Sequence, residues 1–267
     1  MRMDKNRKIE LMGIVNLTPD SFYSPSRHLG DISRMIDTCG RMLDEGADIL
    51  DIGAFSSRPG AAPVSAEEQL RRLSRPLEEL RKAFPEATLS IDTTSAEVVR
   101  AVFSIAGPFI VNDISAGAAD SQMLPTVGRL SLPYIAMHMK GTPETMSQHA
   151  VYGDMLAEIR DYFEKFSVAA SEAGIKEWVM DPGFGFAKTK EQNLFLLDHL
   201  DEILVPGRRT LVGISRKSML GPDPEKALQA TRMANLKALR GGADILRVHD
   251  VAAAADSVRI YRESPEG

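Results

Sequence analysis

Short apolar runs alternate along this chain with longer stretches of helical spacing. Leu11-Met-Gly-Ile-Val-Asn16 reads as a buried strand, followed by a Pro- and Ser-rich stretch from Thr18 to Gly30. From Asp31 the apolar positions switch to Ile32, Met35, Ile36, Cys39, Met42 and Leu43, the period of an amphipathic helix. Gly46 stands where a helix-ending glycine belongs. Ile49-Leu-Asp-Ile-Gly53 is the second strand, and Ala54 to Val64 a second long loop. Ser65-Ala-Glu-Glu-Gln then starts a helix with acids in its first turn, running towards Phe84. The alternation continues with strands at Thr88–Asp92, Phe109–Asn112, Pro133–His138, Trp178–Asp181, Arg209–Ser215 and Ala243–His249. Helical patterns lie between them at Ser95–Ile105, Gln122–Leu130, Met155–Phe166 and Lys190–Leu200. One more ends at Gly241-Gly242, and a last one runs to about Tyr261. Eight such units without a linker predict a single (β/α)8 TIM barrel of the α/β class over residues 1–267, with extended loops after strands one and two. An open doubly wound sheet is the competitor, but it uses fewer strands at this length.

Composition narrows the class. Of 267 residues, 43% are hydrophobic and 26% charged, the balance of an ordinary globular protein. A net charge of -5 argues against a nucleic-acid partner, which wants a basic face. The one cysteine, Cys39, permits no internal disulfide, suits a reducing cytoplasm, and falls on an apolar stripe that suggests core packing. The first ten residues are too charged for a signal sequence, and no apolar run is long enough to cross a bilayer. These features predict a cytoplasmic protein with no membrane partner.

Barrel enzymes gather their chemistry at the carboxyl ends of the strands. Here those ends carry Asn16, Ser57 and Arg58, Asp92, Asn112, His138 and Lys140, Asp181, then Ser215-Arg-Lys217, and Arg247 with His249. Any one of them could serve a turn, as Asp181 before Pro182 could, but turn chemistry at every strand end is a poor account of the set. Asp92, Asn112, Asp181 and Lys217 mix acceptors and donors and suit the edge of a flat heterocycle, because a carboxylate accepting two N–H bonds reads a 2-amino-4-oxo edge directionally. Asn16, Ser57, Arg58, Arg247 and His249 are donor-rich and suit a phosphorylated group. For Arg58 or Arg247 alone, an ion pair across the barrel rim is the simpler reading. The two long loops are candidate lids. Zinc hydrolysis lacks its His/Cys cluster. Gly183-Phe-Gly-Phe-Ala-Lys188 fails as a phosphate loop because Ala187 replaces the glycine before the lysine, and no G-x-G-x-x-G opens a helix for a nicotinamide cofactor.

Seven motifs, in order along almost the whole chain, closely resemble dihydropteroate synthase. They are Met12-Gly-Ile-Val-Asn-Leu-Thr-Pro-Asp-Ser-Phe22, Ser56-Ser-Arg-Pro-Gly60, Ser90-Ile-Asp-Thr93, Val111-Asn-Asp-Ile-Ser115, Asp181-Pro-Gly-Phe-Gly-Phe186, Gly213-Ile-Ser-Arg-Lys-Ser218 and Arg247-Val-His249. The resemblance implies a (β/α)8 barrel of folate biosynthesis, the target of sulfonamides. Its reaction joins 6-hydroxymethyl-7,8-dihydropterin diphosphate to 4-aminobenzoate and releases diphosphate with Mg2+. By matched position it implies pterin contacts from Asp92, Asn112, Ile114, Met139, Asp181, Phe186, Gly213 and Lys217. It implies a diphosphate site of Asn16, Arg58, Arg247 and His249, with Asn16 also holding the metal, and an aminobenzoate pocket of Phe22, Ser57, Pro59 and Ser215. Asp92, Asp181, Lys217 and Arg58 then carry the catalysis, and outer helices form a homodimer.

The chain departs from the family pattern in places. Gly53-Ala-Phe-Ser-Ser-Arg-Pro-Gly60 has Phe55 where a carboxylate is usual, the first loop lacks an Asp-Gly-Gly, and Ala116 stands where glycine is frequent. Two rivals follow. A methyltetrahydrofolate-dependent corrinoid methyltransferase shares the pterin barrel but has no use for Arg58, Arg247 and His249. A non-catalytic pterin-binding paralogue is favoured only by the altered loops.

Overall fold

A computed structural model describes residues 7–17, 28–55, 64–221 and 223–264. Its eight strands pair in sequence order, all parallel, and close on themselves where β8 meets β1. They are β1 (Glu10–Asn16), β2 (Ile49–Gly53), β3 (Thr88–Asp92), β4 (Ile110–Asp113), β5 (Tyr134–Met137), β6 (Trp178–Asp181), β7 (Arg209–Val212) and β8 (Ile245–Val248). Each is followed by a helix: α1 (His28–Asp44), α2 (Ala66–Ala83), α3 (Ala96–Ala106), α4 (Met123–Leu130), α5 (Met155–Glu172), α6 (Lys190–Asp198), α7 (Pro224–Arg240) and α8 (Val251–Glu263). The closed (β/α)8 barrel expected from the alternation is what forms.

Local chemistry accounts for many of the helix ends. The Ser65 and Ser95 side chains accept from Glu68 N and Val98 N, capping α2 and α3. Thr189 and Gln192 exchange side-chain bonds with each other's backbone in a capping box at α6. After α1, Gly46 adopts φ 100 and its N–H donates to Leu43 O, as its spacing suggested.

Several boundaries differ from the sequence reading. α1 begins at His28, not Asp31, because Gly30 is a weak helix former and hides the first turn from a propensity argument. α6 stops at Asp198 and a 3-10 turn, Leu200–Ile203, continues the chain. β7 leaves the ladder after Val212, so Gly213 to Ser215 form the barrel mouth and not the strand. The long connections run over residues 17–27 and 54–65. Residues 18–27 and 56–63, where the lid expectation falls, lie outside the described residues.

Two cores follow from strand alternation. Outward-facing side chains pack under the helices in one large cluster that includes Leu50, Ile52, Leu89, Val111 and Cys39, the last fully buried as its stripe predicted. Inward, Met12, Ile49, Ile135, Leu211 and Ile245 form a separate plug, with Ile110 and Val179 against it. Because side chains alternate along a strand, the residues two positions beyond this plug also point inward, one layer closer to the carboxyl mouth.

Candidate active site

That next layer is polar. Two residues past the plug lie Asp51 on β2, Asn112 on β4, Asp181 on β6 and Arg247 on β8. Asp92 is level with Asn112 across the β3–β4 ladder and with Gly53 across β2–β3. A Cβ placed on Gly53 would stand 3.6 Å from Asn16 Oδ1 and 3.7 Å from Asp92 Oδ2, so Asn16 and Asp92 face one space.

These groups hold each other. Arg247 Nε donates to Asp51 Oδ2 at 2.7 Å, and Arg247 Nη2 reaches Asp92 Oδ2 at 3.2 Å. Asn112 Nδ2 donates to both oxygens of Asp51, at 3.3 and 3.2 Å. Asp92 Oδ1 is buried with no hydrogen-bond partner among the described residues. Burial pushes the Asp92 carboxyl up to about 7; Arg247 opposes this, and Asp51, Asp113 and Asp181 reinforce it. An unpartnered carboxylate oxygen in a low-dielectric floor is costly to keep ionised, and it is a strong acceptor for a ligand N–H.

The β6–α6 loop supplies the second carboxylate. Gly183 adopts φ 70, and a Cβ there would lie 2.0 Å from His138 O, so only glycine lets this turn close against β5. Gly183 N–H donates to Asp181 Oδ1 at 2.8 Å. Burial raises the Asp181 carboxyl, opposed first by the charge of Lys217. Lys217 donates to Phe184 O and sits 4.7 Å from the centre of the Phe186 ring; burial lowers its ammonium to about 8. Asp181, Phe186 and Lys217 therefore share one wall.

On the β7 and β8 side, Ser215 Oγ accepts from His249 N at 3.2 Å and lies 3.1 Å from His249 Nδ1. Arg216, held at φ 57, makes two bonds to Asp250, from Nε at 2.9 Å and Nη2 at 2.5 Å. This pair ties the loop carrying Ser215 and Lys217 to the loop carrying His249. Ile114 is buried just past β4, Met139 is half-buried just past β5, and a Cβ on Gly213 would lie 3.7 Å from Arg247 Cβ. Phe22, Ser57, Arg58 and Pro59 lie outside the described residues.

Two strand-end residues are committed elsewhere. Lys140 donates to Val151 O at 2.7 Å and Glu158 Oε2 at 2.5 Å, which binds it to the start of α5. His138 is packed edge-on to Tyr162, and burial with the nearby lysines drives its pKa down to about 2, so it is a neutral packing residue. His199 is exposed beside Glu202.

The sequence reading missed Asp51, Asp113 and Lys188. Asp51 interrupts an apolar strand, a signal that was available. Asp113 accepts from Ser115 N and Oγ, Gly117 N and Tyr134 OH, shaping the turn after β4. Lys188 is buried and reaches His138 Nδ1 and Gly183 O at 3.0 Å and Phe186 O at 3.1 Å; burial lowers it to about 7 while Asp181 pulls the other way. Its three partners come from two loops, so no local pattern announces it.

A closed parallel barrel whose mouth has carboxylates, an amide and cations above an apolar plug has the arrangement of a barrel enzyme with a small-molecule site. Comparison with known proteins agrees. A family profile described as pterin binding enzyme matches residues 12–249. A dihydropteroate synthase of Synechocystis sp. is 40% identical over 264 residues, covering 96% of this chain and 90% of its own. Among solved structures, the Yersinia pestis dihydropteroate synthase with a sulfonamide drug complex superposes with TM-score 0.87 at 34% identity, covering 98% of this chain and 95% of that one. Dihydropteroate synthase of Xanthomonas albilineans with 4-aminobenzoic acid gives TM-score 0.86 at 36% identity, covering 98% and 96%. The chain belongs to the pterin binding enzyme family, and it matches relatives named dihydropteroate synthase over nearly its full length and theirs.

Proposed function

We infer that this protein is a dihydropteroate synthase, condensing 6-hydroxymethyl-7,8-dihydropterin diphosphate with 4-aminobenzoate to 7,8-dihydropteroate and diphosphate. The observation that carries the reading is the barrel floor. Two buried carboxylates, Asp92 and Asp181, stand with Asn112 and Lys217, and the cation of Arg247 lies within 3.2 Å of one of them. Full-length similarity to dihydropteroate synthases supports it.

In this reading the pterin edge donates N–H bonds to Asp92 and Asp181 and accepts from Lys217, and Phe186, Met139 and Ile114 pack on the ring. Gly213 leaves room for the ring against Arg247. Arg247, His249 and Arg58 receive the diphosphate. Cleavage of the methylene C–O bond sends its electron pair to the diphosphate, and the ring nitrogens share the positive charge left on the methylene. Asp92 and Asp181 stabilise that charge electrostatically. The amine of 4-aminobenzoate, held by Ser215 with Phe22, Ser57 and Pro59, forms the new C–N bond and loses one proton to solvent. The amine needs positioning more than a strong base.

Asn16 carries the metal proposal. Its amide oxygen is the hard ligand type that Mg2+ accepts, and it faces the same space as Asp92. Among the described residues no group of three His, Cys, Asp or Glu could hold a metal. Mg2+ characteristically uses few protein oxygens together with substrate phosphates, which fits one amide at this edge. When bound, it would neutralise charge on the leaving diphosphate.

A homodimer is also proposed, through the outer faces of α6 and α7, which pack on each other. Leu194 and Phe195 on α6 are 40% and 45% exposed, and Leu228 and Met233 on α7 are 42% and 59% exposed. No helix among the described residues is long and apolar enough to cross a membrane. A cytoplasmic setting is proposed on the single cysteine, which suits a reducing compartment.

The test is diphosphate release from the pterin diphosphate with Mg2+, with and without 4-aminobenzoate, alongside detection of dihydropteroate. Coupled release and condensation is the expected result. Tight pterin binding without release would replace the synthase by a non-catalytic pterin-binding protein.

A further inference from the structure

Asp51 is the least expected charge in the barrel. It sits in the middle of β2 between Leu50 and Ile52, and its side chain has no exposure. Burying an ionised carboxylate costs several kcal/mol unless it is paired, so an apolar residue would serve packing better at this position. Among the described residues, every polar contact of the Asp51 side chain instead goes to a residue of the site: Asn112 Nδ2 at 3.3 and 3.2 Å and the Arg247 guanidinium at 2.7 Å.

We propose that Asp51 is a positioning residue that decides which way the Asn112 amide faces and pivots Arg247 between Asp92 and an incoming anion. The proposal rests on the reading of Asp92 and Asn112 as pterin contacts.

The first half follows from donor and acceptor count. A carboxylate only accepts, so Asp51 takes the NH2 end of Asn112 and repels its carbonyl end. The Asn112 oxygen is thereby turned away from Asp51 and becomes available as an acceptor. Without the carboxylate the two ends of the amide are nearly equivalent in shape, and the site loses its preference between presenting a donor and presenting an acceptor.

The second half follows from the two lengths at Arg247. Its Nε and Nη2 both stand 2.7 Å from Oδ2 of the fully buried Asp51, whereas the contact of Nη2 to Asp92 is the longer one, 3.2 Å. Asp92 Oδ1 is open to a ring N–H, and a ring edge that engages both oxygens of Asp92 competes with Nη2 for Oδ2. The contact to Asp92 is the one that yields, and the Asp51 anchor keeps the displaced guanidinium at the mouth. There it meets the anionic group of the same ligand. One substrate therefore gains both partners in a single rearrangement.

The test uses the full-length Asp51→Asn variant, close in shape, with Asp51→Ser as a second that removes the carboxylate without adding bulk. Asp92→Asn serves as the control on the site itself. Calorimetry measures pterin diphosphate binding, steady-state kinetics separate the two KM values, and thermal melts monitor the fold. We expect about a tenfold or greater rise in the pterin diphosphate Kd, the size associated with hydrogen bonds to charged groups, while the 4-aminobenzoate KM stays within about twofold. In a double-mutant cycle with Asn112→Ala the combined loss should be less than the product of the single losses, because Asp51 acts through Asn112. A purely structural Asp51 would lower the melting temperature and leave the Kd of the folded protein unchanged, which overturns the proposal. So does a multiplicative cycle. Unchanged binding in the Asp51 variants with loss in Asp92→Asn overturns the role of Asp51 alone. Unchanged binding in Asp92→Asn as well removes the pterin reading on which it rests.

Discussion

At the scale of single residues, Asp92 sets chemistry against stability. Its carboxyl is pushed up to about 7 in the folded protein, mainly by burial, while an unfolded aspartate titrates near 4. The native state therefore binds this proton more tightly than the unfolded chain does. The stability linked to it is complete below about pH 4 and is lost as pH rises through about 7. Asp92→Asn should flatten stability between those limits and melt higher at pH 8, by roughly 1 kcal/mol or more, about 2–4 °C for a chain of this size. Scanning calorimetry at pH 4 and pH 8 measures this, and equal melting shifts at both would show that burial does not oppose the charge. The same variant should lose pterin affinity. Asp92 was legible in the sequence because it ends an apolar strand. Asp51 was not singled out, although a charge inside Ile49-Leu-Asp-Ile52 was visible in the sequence; its partners, Asn112 and Arg247, arrive only from other strands.

The element that most depends on its interior contacts is the loop from β6 to α6. Its glycines mark the turn in the sequence, and Gly183 makes the close approach to His138 O that they permit. What holds the turn is less visible. Asn193, one turn into α6, accepts from Gly185 N at 2.6 Å, and Lys188 bonds two loop carbonyls and the neutral His138. Lys188→Met would leave those three acceptors buried without their donor. At about 1–3 kcal/mol for each group stranded, with partial relaxation, a loss of about 3 kcal/mol is expected in urea denaturation. Because Phe186 and Phe184 shape the Lys217 wall, the pterin KM should rise in the same variant while the 4-aminobenzoate KM changes little. A stable variant with unchanged KM would mean that backbone bonds alone set this loop.

For the molecule as a whole, the barrel leaves apolar side chains on the outer face of α6 and α7. Replacing Phe195 and Met233 together by Glu should convert the proposed dimer to a monomer in light scattering at micromolar concentration, with a helical spectrum like the parent's. A parent protein that is already monomeric would refute the proposed interface. Strand order and closure place Asp92, Asn112, Asp181 and Arg247 around one mouth, although they are spread over four strands. The proposed chemistry is thus a property of the closed sheet and of no single segment.

The sequence by itself determined the strand–helix alternation, the barrel class and the polar strand ends, because these depend on periodicity and on turn residues close together in the chain. Its motifs also identified the family. Only the tertiary structure decided that Lys140 serves α5, that His138 stays neutral, and that Arg247 bridges Asp51 and Asp92. Those outcomes depend on burial and on partners brought from distant strands. A side chain's charge state and orientation are set by such through-space neighbours, whereas sequence patterns report the neighbours along the chain.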